Sequence, residues 1–154
     1  MARVDNARRR VRTVSDSRHW RRRLRTLYRG VGDTRRQTGA AAEAAAAAFL
    51  EHAGLRVIDR NVRFAHGEID LVCREDDVLI FVEVKSRRAR WGDGAASAVS
   101  ALKQWRLTRL AHHYLKWRRL GEPRCRFDVV AVTVGDDGAV SLRHLRGAFE
   151  ASER

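Results

Sequence analysis

Apolar positions change their period along the chain, and each change marks an element. From Thr38 to Ala53 alanines dominate, Phe49 and Leu50 add bulk, and Gly54 follows. With Thr38 as N-cap and Gly54 as C-cap, this predicts a helix of high intrinsic propensity. Leu55 to Phe64 alternates apolar and polar residues around a break at Asp59-Arg60-Asn61, which predicts a strand. His66-Gly67 reads as a turn. Glu68 to Arg74 and Val78 to Ser86 read as two more strands, joined by the acidic turn Glu75-Asp76-Asp77.

After a loop from Arg87 to Gly94, Ser97 or Ser100 can cap a long helix that runs to Leu120, ahead of Gly121 and Pro123. Leu102, Leu107, Leu110, Ala111, Tyr114 and Leu115 form its apolar face. The run from Phe127 to Val134 is apolar enough for a central strand. Asp136-Asp137-Gly138 then turns the chain into a last strand, Val140 to Leu145. The order α-β-β-β-α-β-β predicts an α/β domain at 37–150.

Composition changes this picture mainly at the N-terminus. Residues 1–36 carry 13 arginines against 3 aspartates, a net of +10, whereas the other 118 residues carry 19 basic against 16 acidic groups, a net of +3. The total of +13 is therefore mostly a property of the extension. A solvated, disordered or partly helical tail and an arm that attracts polyanions both fit it. Trp20, Leu24, Leu27, Tyr28 and Val31 form an apolar stripe among the arginines, which can lie on nucleic acid, on an anionic membrane or on the domain itself.

No apolar run approaches the roughly 20 residues of a membrane span, and no signal-like core precedes the domain, so the expected location is cytoplasmic. Cys73 and Cys125 have no metal-ligand spacing and predict buried thiols. Neither a structural metal nor a small-molecule cofactor is expected.

The chemistry gathers on the middle strands. Alternation puts Glu83 and Lys85 on one face of their strand and Ile80, Val82 and Val84 on the other. Asp70 and Val72 should share a face opposite Ile69, Leu71 and Cys73. If Asp76-Asp77 is a two-residue turn, Asp70 lies opposite Glu83 with side chains about 5 Å apart. Two facing carboxylates are destabilising unless a cation sits between them, and Mg²⁺ or Mn²⁺ suits oxygen ligands completed by water and phosphate. The backbone carbonyl of Val84 offers a further oxygen. Lys85 is placed to orient an attacking water or to stabilise phosphate charge. Because Glu-x-Lys on a strand is also a common surface pattern, spacing leaves the chemical and structural readings open.

The run Gly67-Glu68-Ile69-Asp70-Leu71-Val72, then Phe81-Val82-Glu83-Val84-Lys85-Ser86-Arg87, resembles the signature of the YraN family. These are small bacterial proteins assigned to the PD-(D/E)XK nuclease-like superfamily. Gly39 to Glu43, Lys103-Gln104 and Arg126 to Val130 are similar to further segments of that family, and the resemblance spans about 37 to 146. It implies a restriction-endonuclease-like core, a mixed five-stranded sheet flanked by helices. It also implies Asp70 and Glu83 as metal ligands, Lys85 as the catalytic lysine and Glu43 as a helix-borne acid of the same site. The "PD" element lacks its proline here.

Weaker candidates surround these. Arg87 and Arg88 suit phosphate contacts, Lys103 and Gln104 can line the cleft, and Glu68 can orient a water or cap the turn. Asp128 fits a structural hydrogen-bonding role, and Trp91 and Trp105 suit either base stacking or packing. The implied activity is metal-dependent hydrolysis of DNA phosphodiesters, DNA before RNA, with branched or repair intermediates as substrates. Analogy with junction-resolving nucleases allows a homodimer. A non-catalytic nucleic-acid-binding module and a repair or recombination adaptor are the alternatives, because this fold also occurs without its chemistry.

Overall fold

The computed structural model describes residues 11–13, 18–28, 35–88 and 99–151. In chain order the elements are β1 (Val11–Thr13), α1 (Arg18–Tyr28), α2 (Arg35–His52), β2 (Arg56–Phe64), β3 (Gly67–Glu75), β4 (Val78–Arg88), α3 (Ala101–Trp117), β5 (Arg124–Val134) and β6 (Val140–Phe149). The strands form one sheet in the order β1-β6-β5-β4-β3-β2. Among the described strands only β4 and β5 run parallel, so the segment joining them, which contains α3, is the crossover that such a pair requires. The five expected strands are β2 to β6, and the short β1 adds a sixth at the β6 edge.

Each face of the sheet buries its own helix. Alternation along β4 divides its residues: Val78, Ile80 and Val82 pack with Phe49, Leu50 and the buried alanines of α2. Leu79 and Phe81 pack instead with Leu107, Leu110, Tyr114 and Leu115 of α3. Small alanine side chains let α2 lie close on the sheet, which explains why so weakly hydrophobic a helix buries Ala41, Ala42 and the run from Ala45 to Leu50. The stripe in the N-terminal extension resolves at Leu24, which is buried in the α2-side cluster with Tyr28 packed against it, so α1 lies on the domain. Trp91 falls outside the described residues, as do Trp20 and Leu27 at the level of side chains and Val31 altogether.

Several boundaries differ from the sequence reading. Helix α2 starts at Arg35, which places Thr38 inside it, because the preceding arginines and glutamine are themselves good helix formers. Helix α3 is capped by Ser100, whose hydroxyl accepts the Lys103 N–H. It stops at Trp117, and Arg119 turns the chain with a φ of 53°. Arg87 and Arg88 belong to β4, held by pairing with Thr133 and Val134. Strand β6 runs four residues beyond Leu145, to Phe149, because Phe149 stacks on Phe127 of the neighbouring strand. Among the described residues no helix is long and apolar enough to cross a membrane. Both cysteines are buried free thiols.

Candidate active site

The site is built where two neighbouring strands part. The turn at Asp76, with φ 52°, sets β3 against β4 in the register Glu75↔Val78 through Leu71↔Val82. That is the register in which Asp70 would come next, opposite Glu83, but the ladder stops at Leu71↔Val82. Beyond that point β4 stays paired to β5 as far as Arg88, while β3 stays paired to β2 as far as Phe64↔Gly67. The sheet therefore forks. In the fork an Asp70 carboxylate oxygen accepts the Val84 N–H at 2.7 Å, doing the work of the ladder carbonyl that the departing strand has withdrawn.

The fork also corrects one face assignment. Ile69 packs on the α3 side with Val72 rather than with Leu71 and Cys73, so strict alternation fails at Asp70. Across from it on β2, Asn61 has a φ of 51° and falls out of the register. A local irregularity of this kind re-aims a side chain. It carries the Asp70 carboxylate into the gap between strands instead of onto a flat face.

Four acidic groups share the field of this gap. Burial and the charges of Glu83, Glu43 and Glu68 push the Asp70 carboxyl up to about 7, against the hydrogen bond from Val84. Glu43 reaches the same region from α2 on the opposite face, where the Asn61 side chain hydrogen-bonds it. Its carboxyl is raised by burial and by Glu68, with Asn61 and Arg63 opposing. Glu83, only 19% exposed, receives the Lys103 ammonium at 2.9 Å. Lys85 follows Glu83 on the same strand face. Burial and the nearby Lys103 charge hold its ammonium below the usual value, and Glu83 acts the other way.

Asp70 and Glu83 open into a cleft of about 480 Å³ between the tip of the β2–β3 hairpin and α3. Arg63, Phe64, Gly67 and Glu68 come from the hairpin, and Lys103, Arg106, Leu107 and Leu110 from the helix. Gly67 lets these two walls approach: its φ is 143°, and a Cβ there would already touch Leu110 at 3.4 Å. Lys103 thus lines the cleft. Gln104 does not, and its side-chain amide donates to the Val99 carbonyl at 2.8 Å. Glu43 and Lys85 lie outside the cleft wall, tied to it through charge.

Oxygen donors and surplus negative charge are what a hard divalent cation needs. Among the described residues no three or more His, Cys, Asp or Glu side chains converge as a complete cage. The donor set suits an ion that takes one or two carboxylates and fills its remaining positions with water or phosphate, the habit of Mg²⁺. Asp70 and Glu83 are the residues that could hold it.

Arg63, Phe64 and Arg106 were not among the sequence candidates. Their signals were weak: Arg63 and Phe64 precede the His66-Gly67 turn, and Arg106 stands one helical turn after Lys103. Asp128 lies elsewhere. It is fully buried beneath α2 and accepts from Arg126, from His144 Nε2 at 2.8 Å and from the Gly147 N–H at 2.8 Å. Arg126 continues to Glu75, which also binds Arg146. This network is structural, clamping β5, β6 and the end of β3. The Trp105 ring lies under the Arg109 guanidinium at 4.9 Å, on the surface of α3.

The model of the family described as "Uncharacterised protein family UPF0102" matches residues 42–132, which include Glu43, Asp70, Glu83 and Lys85. A UPF0102 protein of Symbiobacterium thermophilum is 52% identical over 118 residues, covering 75% of this chain and 98% of the relative. One from Burkholderia thailandensis is 48% identical over 122 residues, covering 78% and 80%. One from Anaeromyxobacter dehalogenans is 43% identical over 125 residues, covering 81% and 92%. By family model and by relatives alike, the chain belongs to the UPF0102 family, which is the YraN family that its motifs resemble.

Proposed function

We propose that the protein is a metal-dependent nuclease of the PD-(D/E)XK type, hydrolysing DNA phosphodiesters at the fork between β3 and β4. The observation that carries this reading is the meeting of Asp70 and Glu83 at the fork, with Lys85 one strand repeat beyond. It is a surplus of negative charge held in place by the Val84 N–H rather than dispersed. Structural carboxylates are ordinarily neutralised where they are buried, as Asp128 is. Among the described residues Asp70 has no comparable cationic clamp, and its ionisation is opposed by its surroundings.

A Mg²⁺ or Mn²⁺ ion bound by these carboxylates supplies Lewis acidity toward phosphate and acidifies water. The chain's own groups do the rest. Asp70 and Glu83 would hold the ion, with the Val84 carbonyl as a third oxygen. Lys85, with its depressed ammonium, gives up a proton more readily than a solvated lysine and stabilises charge on the phosphate. Glu43 adds to the field and accepts a hydrogen bond from Asn61, positioning the β2 side of the fork. Arg63 and Arg106 attract the DNA backbone into the cleft, and Arg87 and Arg88 extend that basic surface along the end of β4.

One observation favours a second reading. The Lys103–Glu83 ion pair partly satisfies the site without metal, as a binding module or adaptor that had lost catalysis would. Purified protein incubated with linear, flap, four-way-junction and single-stranded DNA, with Mg²⁺, Mn²⁺ or EDTA, separates the two. Metal-dependent cutting is the expected result. Binding to the same DNAs with no cutting under either metal would favour the non-catalytic module.

A further inference from the structure

The cleft beside the carboxylates has a composition that duplex DNA alone does not require. Cationic groups stand on both walls: Arg63, paired with Glu68 at 3.3 Å, on the hairpin side and Arg106 on α3, with Lys103 on Glu83. The floor is apolar, made by Phe64, Leu107 and Leu110 around Gly67. At about 480 Å³ it has the size of a small-molecule pocket. A continuous duplex, which presents only its phosphates and groove edges, would leave such a floor empty.

The apolar floor does not end at Phe64. Its ring lies 6.0 Å from that of His113 and 6.2 Å from that of Trp117, while His113 is 6.4 Å from His66. Trp117 is 58% exposed, and Arg118 lies over its ring at 5.5 Å. Aromatic faces therefore lead away from the carboxylates along the outer side of α3. Cationic groups beside successive aromatic rings are the means by which proteins hold single strands, because unpaired bases expose faces that stack.

We propose that this cleft and the aromatic track beyond it seat unpaired nucleotides, so that the site takes single-stranded segments flanking a duplex in preference to continuous duplex. The proposal rests on the nuclease reading for its chemistry but not for its binding. One nucleotide enters between the hairpin tip and α3, its base on Phe64 and Leu110. Arg63 and Arg106 take the flanking phosphates. The next bases stack toward Trp117.

The test is fluorescence anisotropy with the full chain in EDTA, so that no cutting intervenes. The probes are a fluorescein-labelled blunt duplex, the same duplex with a thymidine tail, and the single strand. The tail should tighten binding about ten-fold, the size expected of one or two stacked bases. Phe64→Ala and Trp117→Ala should each remove most of that gain, and Arg106→Ala should weaken every probe and flatten the salt dependence. Trp117 is a surface residue, so its variant keeps the test valid should Phe64→Ala unfold. Equal affinity for blunt and tailed duplex, or a tail preference untouched in Trp117→Ala and in a folded Phe64→Ala, overturns the proposal even if metal-dependent cutting is seen. A tail preference lost in these variants sustains it even if no DNA is ever cut, in which case the nuclease reading alone fails.

Discussion

Asp70 accepts the Val84 N–H at 2.7 Å across the point where β3 and β4 cease to pair, so one side chain both closes the sheet and opens the site. The hydrogen bond fixes the carboxylate, and the surrounding charges make its ionisation costly.

The first prediction concerns that cost. The Asp70 carboxyl is raised to about 7 by burial and by neighbouring carboxylates, far above its value in an unfolded chain. Between about pH 4 and 7 the folded protein therefore binds more protons than the unfolded one, and metal-free stability falls as pH rises through that window. Asp70→Asn keeps an oxygen for Val84 and removes the charge. Urea titrations in EDTA at pH 8 should find it more stable than wild type by about 1–2 kcal/mol, with little difference at pH 4.5. A destabilised variant at pH 8 would contradict this.

The Asp128 network carries the opposite sign. Burial opposes ionisation of Asp128, but the hydrogen bonds from His144 and Arg126 outweigh it and hold the carboxyl low. Glu75 is held low likewise by Arg146 and Arg126. Both contribute stability that is present above their unfolded values, near pH 4, and is lost as pH falls through the folded values. Asp128→Asn takes the carboxylate from His144 and leaves Arg126 only Glu75, and should cost about 3–5 kcal/mol in chemical denaturation.

Lys103 pairs with Glu83, the same carboxylate that the proposed metal would need. Their ion pair is half exposed on the lysine side, so Lys103→Ala should change stability by less than about 1 kcal/mol. Calorimetric titration with Mn²⁺ should find tighter binding in the variant, because one competing cation is gone. Weaker Mn²⁺ binding would mean that Lys103 supports the ion rather than excludes it.

Docking of α1 predicts that the extension contributes to stability. Leu24 is buried against α2, so Leu24→Ala should cost about 2–4 kcal/mol if helix and domain unfold together. A urea midpoint unchanged by this substitution would show that α1 is dispensable to the folded domain.

The fold was legible where local rules act alone. A two-residue acidic turn between two alternating runs sets their register, and Glu75↔Val78 through Leu71↔Val82 follows from it. The pair Ser97 and Ser100 announced α3, and Ser100 caps it, because a serine before an apolar period satisfies an otherwise orphaned N–H. What could not be read depends on contacts between distant segments. The end of the β3–β4 ladder, and with it the turn of Ile69 toward α3, follows from the departure of the hairpin and from Asn61 on a third strand. The pairing of β1 with β6 joins segments more than a hundred residues apart, and its short polar sequence carries no strand period. Of the candidate site, Asp70, Glu83 and Lys85 were visible as a spacing. Arg63, Phe64 and Arg106 were not, because the β2–β3 hairpin tip and α3 meet only in the folded chain.

The most direct measurement of the central claim compares wild type, Glu83→Gln and Lys85→Ala in two assays, Mn²⁺ binding by calorimetry and cleavage of a tailed DNA duplex. Glu83→Gln should lose both metal binding and cleavage. Lys85→Ala should retain the metal and lose at least about a hundred-fold in cleavage, the usual share of a positioned proton-transfer group. Metal-dependent cleavage that survives both substitutions would contradict the assignment of hydrolysis to the fork between β3 and β4.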